Sequence, residues 1–141
     1  MPKTKIKTKK LNRCHCDTGL AFSQCCQPIL TQAAPALSPL ALMRSRYCAY
    51  VLADEPYLLK TWHSDTRPQT LDLEQSQQKW LRLKIISTEL GQANEETGVV
   101  EFVATFKVNG RAEHLRERSR FARQNGQWVY LDGVHDGASS G

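Results

Sequence analysis

The sequence of 141 residues has the length of one domain, or of one domain with a small appendage. No apolar run approaches the roughly 20 residues of a membrane span, and no apolar stretch follows the basic start as in a signal peptide. Residues 1–13 hold six of the nineteen bases and no acid, which leaves thirteen bases against fourteen acids elsewhere. We therefore expect a soluble, cytoplasmic protein whose net charge of +5 belongs to a tail.

The basic start, MPKTKIKTKKLNR, predicts a flexible tail over residues 1–13. No aromatic residue is interleaved with the lysines, which favours solvated chain over a site that stacks nucleic-acid bases. The functional alternative is that the tail binds weakly to RNA, the ribosome or an acidic protein.

Four of the five cysteines fall within thirteen positions, at Cys14, Cys16, Cys25 and Cys26. Disulfides suit oxidising compartments, and redox catalysis usually shows C-x-x-C beside a βαβ pattern that is missing here. A C-x-C pair plus a C-C pair supplies the four thiolates of tetrahedral zinc from one compact turn, which Gly19 helps to reverse. We predict a zinc knuckle over residues 14–28, with all four metal positions filled and therefore structural rather than catalytic.

The pattern C-x-C-x-T-G-x5-C-C resembles the SEC-C motif at the carboxyl terminus of the SecA translocation ATPase, C-x-C-x-S-G-x5-C-(C or H). Thr18 stands where serine is usual, His15 replaces a frequent proline, and Gln27 replaces a frequent glycine. None of these departures removes a ligand, and His15 is expected outside the ligand set. In SecA-like proteins the motif docks other proteins, so the resemblance implies a docking surface.

Residues 29–37 are rich in Pro and Ala without a clear period and predict a linker. Ser38 is expected to cap a helix from Leu40 to about Leu52, with proline at its first position. Because the linker separates the knuckle from the rest, we expect the domain to fold without residues 1–36.

Asp54 is expected to cap a second helix that ends at Arg67 and Pro68. A short third helix is predicted from Thr70 through Gln77. The side chains placed on the second helix are Tyr57, Leu58, Trp62 and His63.

The hydrophobic period then changes from about 3.6 to 2. Asn-Gly pairs at 109–110 and 125–126 predict tight hairpin turns. The predicted strands are Trp80 to Leu90, Val99 to Val108, Arg111 to Arg123 and Gln127 to Asp132. Helices followed by an antiparallel meander indicate an α+β fold class over residues 38–134, and 135–141 are expected to form a flexible end.

Two helices followed by four antiparallel strands resemble the nuclear-transport-factor-2-like cone, in which a curved sheet wraps a long helix. The phrases LMRSRYCAYVLADEPYLLKTWH, ERSRF and NGQWVYLDG are similar to the bacterial YchJ family, a poorly characterised group that joins SEC-C motifs to such a cone. The resemblance runs from Cys14 to Gly133. Many relatives carry a second cysteine knuckle at the carboxyl end, and since none follows Cys48 here, no function that needs two zinc sites is expected.

The third strand carries the candidate site. Leu115, Glu117 and Phe121 share one face, and the apolar pair marks it as the core side. Glu117 then points inward, where its charge needs a partner, and Arg44 or Arg46 is expected to supply it. The candidate pocket of the cone comprises Arg44, Arg46, Tyr47, Tyr50, Trp62, His63, Glu117 and Trp128.

A purely structural role for the same residues is the alternative. A buried Glu-Arg pair can simply fix helix against sheet, and the aromatic side chains can be core. Arg116, Arg118 and Arg120, on the outer face, are expected to form a solvated surface. Cys48 is expected to be a small buried hydrophobe with a free thiol.

Three functions stay open, and no catalytic residue is assigned. The leading hypothesis is a non-enzymatic zinc protein whose knuckle and tail dock a protein or ribosome, with a cone that binds something or forms a homodimer. The second is an enzyme or small-ligand binder that uses the cone pocket. The third is a structural zinc clip that staples the amino terminus onto the cone.

Overall fold

The computed structural model describes residues 12–73 and 78–135. The helices are α1 (Gln27–Leu30), α2 (Pro39–Val51) and α3 (Glu55–Lys60), and a 3-10 turn spans Phe22–Gln24. The strands are β1 (Lys79–Leu90), β2 (Thr97–Val108), β3 (Arg111–Gln124) and β4 (Gln127–His135). The α+β class is confirmed. The predicted tail over 1–11, positions 74–77 of the predicted third helix, and the end from 136 onward lie outside the described residues.

The sheet is an antiparallel meander in the order β1-β2-β3-β4. Both predicted Asn-Gly turns are confirmed, because Asn109 and Asn125 have φ of 54° and 55° and are each followed by glycine at φ 79°. Irregular register between Trp80 and Arg82, again later in β1, and in β4 opposite Arg120 and Phe121, marks bulges. Bulges bend a strand and increase its twist, which gives the sheet its curvature.

Helix α2 lies across the sheet and supplies much of the core. Ser38 Oγ accepts a hydrogen bond of 3.0 Å from the Ala41 amide, so the predicted cap is confirmed. The largest cluster of buried apolar side chains includes Leu42, Met43 and Tyr47 of α2, Val100, Phe102 and Ala104 of β2, Phe121 of β3 and Trp128 of β4. None of the described helices is long and apolar enough to cross a membrane.

The region after α2 differs from the prediction. Helix α3 ends at Lys60, because the next residues pair with β4: Tyr130 N donates to Thr61 O at 2.8 Å, and His63 N donates to Tyr130 O at 2.7 Å. Trp62 and Tyr130 form an isolated parallel bridge. Residues 70–72 are not helical.

The segment around the knuckle also departs from the predicted boundaries. Positions 29 and 30 of the predicted linker belong to α1, which begins directly after the second cysteine pair. Arg13, assigned to the tail, forms a bridge with Ala21. The knuckle therefore begins before its first cysteine and continues into a helix.

The two faces of β3 are as predicted. Glu117, Ser119 and Phe121 are buried, whereas Arg116, Arg118 and Arg120 are exposed. The outer arginines pair with carboxylates of the other three strands, at Glu101 of β2, Glu89 of β1 and Asp132 of β4. This outer face is a ladder of ion pairs in contact with solvent.

Candidate metal centre and buried polar cluster

The Sγ atoms of Cys14, Cys16, Cys25 and Cys26 all lie within 4.8 Å of one another. The Cys16–Cys25 distance is 3.6 Å and the Cys25–Cys26 distance is 3.9 Å. A tetrahedron with metal–sulfur bonds of about 2.3 Å has edges of about 3.75 Å. Because thiolates are soft ligands and this tetrahedral set is closed, the cluster is compatible with structural zinc.

A short reversed loop brings the two cysteine pairs together. Cys14 N donates to Leu20 O at 2.8 Å, and Phe22 N donates to Asn12 O at 2.6 Å. The reversal passes through Gly19 at φ 87°, a conformation that other side chains adopt only with strain. The second cysteine pair then sits between the 3-10 turn and α1.

Two hydrogen bonds attach this loop to the sheet domain. Arg44 Nη1 on α2 donates to Cys16 O at 2.7 Å, and Leu83 N on β1 donates to Asp17 Oδ2 at 2.9 Å. Three of the sulfurs are buried in the same cluster as the core of α2 and β2: those of Cys14, Cys16 and Cys26. The knuckle is thus packed into the domain core, in contrast to the separation that the linker predicted.

The pKa values of the four clustered thiols differ. Hydrogen bonds from Cys14 and Cys26 lower the pKa of Cys16 far below its ordinary value, and hydrogen bonds with Cys14 and Cys16 raise the pKa of Cys26. Burial raises the pKa of Cys25 to about 11. Hydrogen bonding with Cys16 raises the pKa of Cys14, but hydrogen bonds with Cys26 and Cys48 outweigh it and lower that pKa to about 6. Thiolate character therefore collects on Cys16 and Cys14, and a divalent cation that binds all four sulfurs must displace the remaining protons.

Glu117 is the centre of a second polar cluster, inside the sheet. It is 7% exposed, and its Oε2 accepts hydrogen bonds from Ser119 Oγ at 2.7 Å and from Tyr130 Oη at 3.2 Å. Burial, and then repulsion from Glu117, raise the pKa of Tyr130, which keeps its hydroxyl protonated as a donor. A Cβ at Gly133 would overlap the carboxylate, so the strand leaves room for it.

Arg46 lies next to this cluster and is 3% exposed. Its Nη1 donates to Leu58 O at 2.8 Å and to Thr61 Oγ1 at 2.7 Å, and its guanidinium lies 4.7 Å from the ring centroid of Tyr130. Burial lowers the pKa of Arg46, and attraction to nearby tyrosines and to Glu117 opposes that effect. The positive charge of Arg46 is stabilised by its contacts with a backbone carbonyl, a hydroxyl and an aromatic ring.

The expected hydrogen bond between Glu117 and an arginine therefore needs correction. Arg44 reaches the knuckle, and the hydrogen bonds of Arg46 go to the end of α3. The carboxylate is instead bonded by the hydroxyls of Ser119 and Tyr130.

Two of the remaining predicted pocket residues adjoin the polar cluster: the Trp62 ring centroid lies 5.0 Å from the Arg46 guanidinium, and Tyr50 interacts with Arg46. Tyr47 and Tyr50 pack on Trp80, with ring centroids 6.0 and 5.8 Å away. His63 Nδ1 accepts a hydrogen bond of 3.0 Å from the Asp65 amide. Tyr47 and His63 make packing and turn contacts outside that cluster.

A groove of about 1040 Å³ lies between the α1–α2 segment, α3 and the β3–β4 hairpin. Lys60, Arg67 and Arg123 line it, and no carboxylate does among the described residues. Trp128 lies on its wall, 4.3 Å beneath the Arg123 guanidinium, with a buried Nε1 that has no hydrogen-bond partner in the described part of the chain. A second groove of about 660 Å³ is lined in part by His15 and Tyr50, and neither groove is lined by Glu117 or Arg46.

The family model described as YchJ, middle NTF2-like domain, matches residues 38–133, from the cap of α2 into β4. The chain belongs to the YchJ family. A UPF0225 protein of Pectobacterium carotovorum is 48% identical over 129 residues, which cover 86% of this chain and 83% of the relative. A UPF0225 protein of Chromobacterium violaceum is 45% identical over 133 residues, which cover 92% of this chain and 98% of the relative.

Two solved structures are similar to the chain. A SEC-C motif containing protein from Rhodopseudomonas palustris superposes with a TM-score of 0.76 at 32% identity, covering 86% of this chain and 96% of the other. A SEC-C motif containing protein from Psychrobacter arcticus has a TM-score of 0.69 at 24% identity and shows the shared fold. The family resemblance and the nuclear-transport-factor-2-like fold drawn from the sequence are confirmed.

Sequence reasoning missed three residues around the four-cysteine cluster. Thr18 Oγ1 lies 3.2 Å from Cys25 Sγ, Asp17 bonds β1, and Cys48 Sγ lies 3.4 Å from Cys14 Sγ. Thr18 and Asp17 fall inside the motif, next to its cysteines. Their position in the sequence could have identified them as residues that support the cluster. Cys48 lies far along the chain, and only the packing of α2 shows that it belongs here.

Proposed function

We propose that the four-cysteine cluster binds one structural zinc ion, and that this zinc clips the amino-terminal segment onto the cone of a cytoplasmic, non-enzymatic binding protein. The observation that carries the proposal is the shared core: Cys14, Cys16 and Cys26 are buried together with Leu42, Tyr47 and Phe102. Zinc bound there adds its binding free energy to the folding of the whole domain.

The test is elemental analysis of the full chain purified without added metal, followed by thermal unfolding with and without chelator. One zinc per chain and a lower transition temperature for the β-sheet signal after chelation support the clip. A chain that contains no zinc and two disulfides contradicts it. Zinc loss that leaves the transition of the sheet unchanged would favour an independent docking knuckle instead.

Binding of a small ligand is the second candidate function. The basic groove is a better site for it than the region around Glu117. Three cations without a carboxylate among its described lining residues attract an anion, and Trp128 lies beneath one of them, Arg123, where its fluorescence can report binding. Quenching of tryptophan fluorescence by small organic carboxylates or phosphates would test it. Saturable quenching in the wild type that is weakened in Arg123→Gln supports the groove, and equal quenching in both proteins counts against it.

Docking to a ribosome through the basic tail and knuckle is a further proposal. Its support is the sequence, where residues 1–13 carry six bases and no acid. Co-sedimentation with purified ribosomes at two salt concentrations tests it, with a variant that has glutamine at the five tail lysines as control. Binding that falls with salt and with the lysines supports docking.

A further inference from the structure

All five cysteines of the chain converge on one centre, although the motif accounts for only four. Cys48 Sγ lies 3.4 Å from Cys14 Sγ, and it also interacts with the thiols of Cys16 and Cys26. Cys48 is 0% exposed and is carried by α2, the long helix of the cone. Its sulfur is therefore presented to the knuckle by the domain itself.

Cys25 and Cys48 share their sulfur neighbours. Cys25 interacts with Cys14 and Cys16 and lies 3.9 Å from Cys26, so both thiols adjoin the same three cysteines. Cys25 is the partly exposed member of the cluster, and Thr18 Oγ1 is its nearest polar neighbour at 3.2 Å. These contacts define two candidate sets of four sulfurs: one with Cys25, whose members all lie within 4.8 Å of one another, and one in which Cys48, 3.4 Å from Cys14, takes the place of Cys25.

The distance from Cys48 to Cys14, one member of the shared set, fits a ligand. A sulfur–sulfur distance of 3.4 Å is close to the edge of about 3.75 Å expected for zinc thiolates and far from the roughly 2.05 Å of a disulfide. The position also suits the clip, because a ligand on α2 joins the metal directly to the cone.

We propose that Cys48 is a fifth, alternative ligand of the metal centre that exchanges with Cys25. The inference rests on the proposed zinc clip and specifies its chemistry. When Cys48 binds, its thiol gives up one proton, and the displaced Cys25 thiolate takes up one. The charge of the centre and the oxidation state of the metal stay unchanged. Cys25 is then a free thiol at the partly exposed side of the knuckle.

The experiment titrates Co²⁺, as a spectroscopic substitute for zinc, into the full-length chain and its variants. Co²⁺ absorption distinguishes four sulfur ligands from three, and competition with a chelator gives affinity. The set comprises wild type, Cys25→Ser, Cys48→Ala, Cys25→Ser with Cys48→Ala, and Cys16→Ser. Circular dichroism of each variant verifies that the sheet is present, and Cys48→Ser repeats the test if the alanine variant fails to fold.

We expect Cys25→Ser to keep one Co²⁺ per chain with the spectrum of four sulfurs and to lose about tenfold in affinity. The variant that lacks both thiols should show three sulfurs and lose more than about 100-fold, beyond the 10–100-fold typical of residues that only support a ligand. Cys16→Ser is the matched control: Cys16 belongs to both sets, so Cys48 cannot replace it.

Two outcomes overturn the proposal in different ways. If Cys25→Ser shows three sulfurs and the affinity of the double variant, Cys48 is not a ligand and the zinc clip stands without it. If the wild-type chain binds no metal at all, the clip and the exchange both fail.

Discussion

Arg44 donates a hydrogen bond of 2.7 Å from Nη1 to the backbone carbonyl of Cys16, across the boundary between α2 and the knuckle. Four thiolates carry two more negative charges than a zinc ion neutralises, and a guanidinium next to the loop offsets part of that excess. The residue that the sequence placed in a cone pocket therefore supports the loop that carries Cys14 and Cys16.

We expect Arg44→Ala to lower the free energy of unfolding of the metal-loaded chain by about 1.5–3 kcal/mol, the usual contribution of a hydrogen bond from a charged donor. Urea unfolding measures it, and chelator competition should show faster metal loss. Arg82→Ala is the control, because Arg82 is an exposed arginine of β1. Equal effects of the two substitutions would show that the Arg44 contact contributes nothing.

Metal removal should destabilise the entire domain. Cys14, Cys16 and Cys26 lie in the main core, so a disordered knuckle exposes the side chains of α2 and β2 that they cover. Deletion of residues 1–36 should act in the same direction and cost at least the roughly 2–5 kcal/mol of one large core truncation. Thermal unfolding followed by far-ultraviolet circular dichroism checks both changes.

The control for this experiment is Leu20→Ser, since Leu20 is 53% exposed at the tip of the knuckle and should not affect the transition. A truncated chain that unfolds cooperatively at the wild-type temperature would restore the separable domain that the linker composition predicted.

The elements of the fold that the sequence predicted well are those fixed by local chemistry. Ser38 caps α2 with its own side chain, and the Asn-Gly pairs set the hairpins through φ values that these residues tolerate. Strict alternation along β3 correctly predicted that Glu117 faces the core. A shift of one residue in register would have placed it on the solvent face.

The features that the sequence could not supply depend on contacts between distant segments. Helix α3 ends early because Trp62 pairs with Tyr130, nearly seventy positions later in the chain. Periodicity predicted that Glu117 is buried but could not choose its partner, and Arg46 bonds a carbonyl of α3 instead. Local apolar pattern explained the burial of Cys48 and gave no sign of its sulfur neighbours.

Glu117→Gln should lower the free energy of unfolding by about 1–3 kcal/mol, because the hydroxyls of Ser119 and Tyr130 lose a charged acceptor and Arg46 loses a nearby negative charge. Urea unfolding at neutral pH measures it. Glu113→Gln on the same strand is the control, since Glu113 is exposed. An unchanged stability in Glu117→Gln together with weaker binding of a small ligand would mean that the cluster serves a ligand.

The first turn of α2 packs against two glycines, Gly91 and Gly98, through Pro39. A Cβ on Gly98 would lie 2.5 Å from Pro39 Cγ and 3.1 Å from Gly91 Cα, in a buried position where the backbone cannot easily yield. We expect Gly98→Ala to lower the free energy of unfolding by about 1–3 kcal/mol through overpacking. This position is tight for steric reasons alone, since its φ lies outside the left-handed region.

A double-mutant cycle separates this steric effect from a general loss of stability. Pro39→Ala removes the ring atoms that the new methyl group would meet, so Gly98→Ala should cost less in that background, by more than about 0.5 kcal/mol. Part of the cost should persist, because the backbone of Gly91 is also close. Urea unfolding of the four proteins gives the coupling energy. Strictly additive changes would mean that α2 does not press on the sheet at this point, and that the helix is held by the core and the knuckle alone.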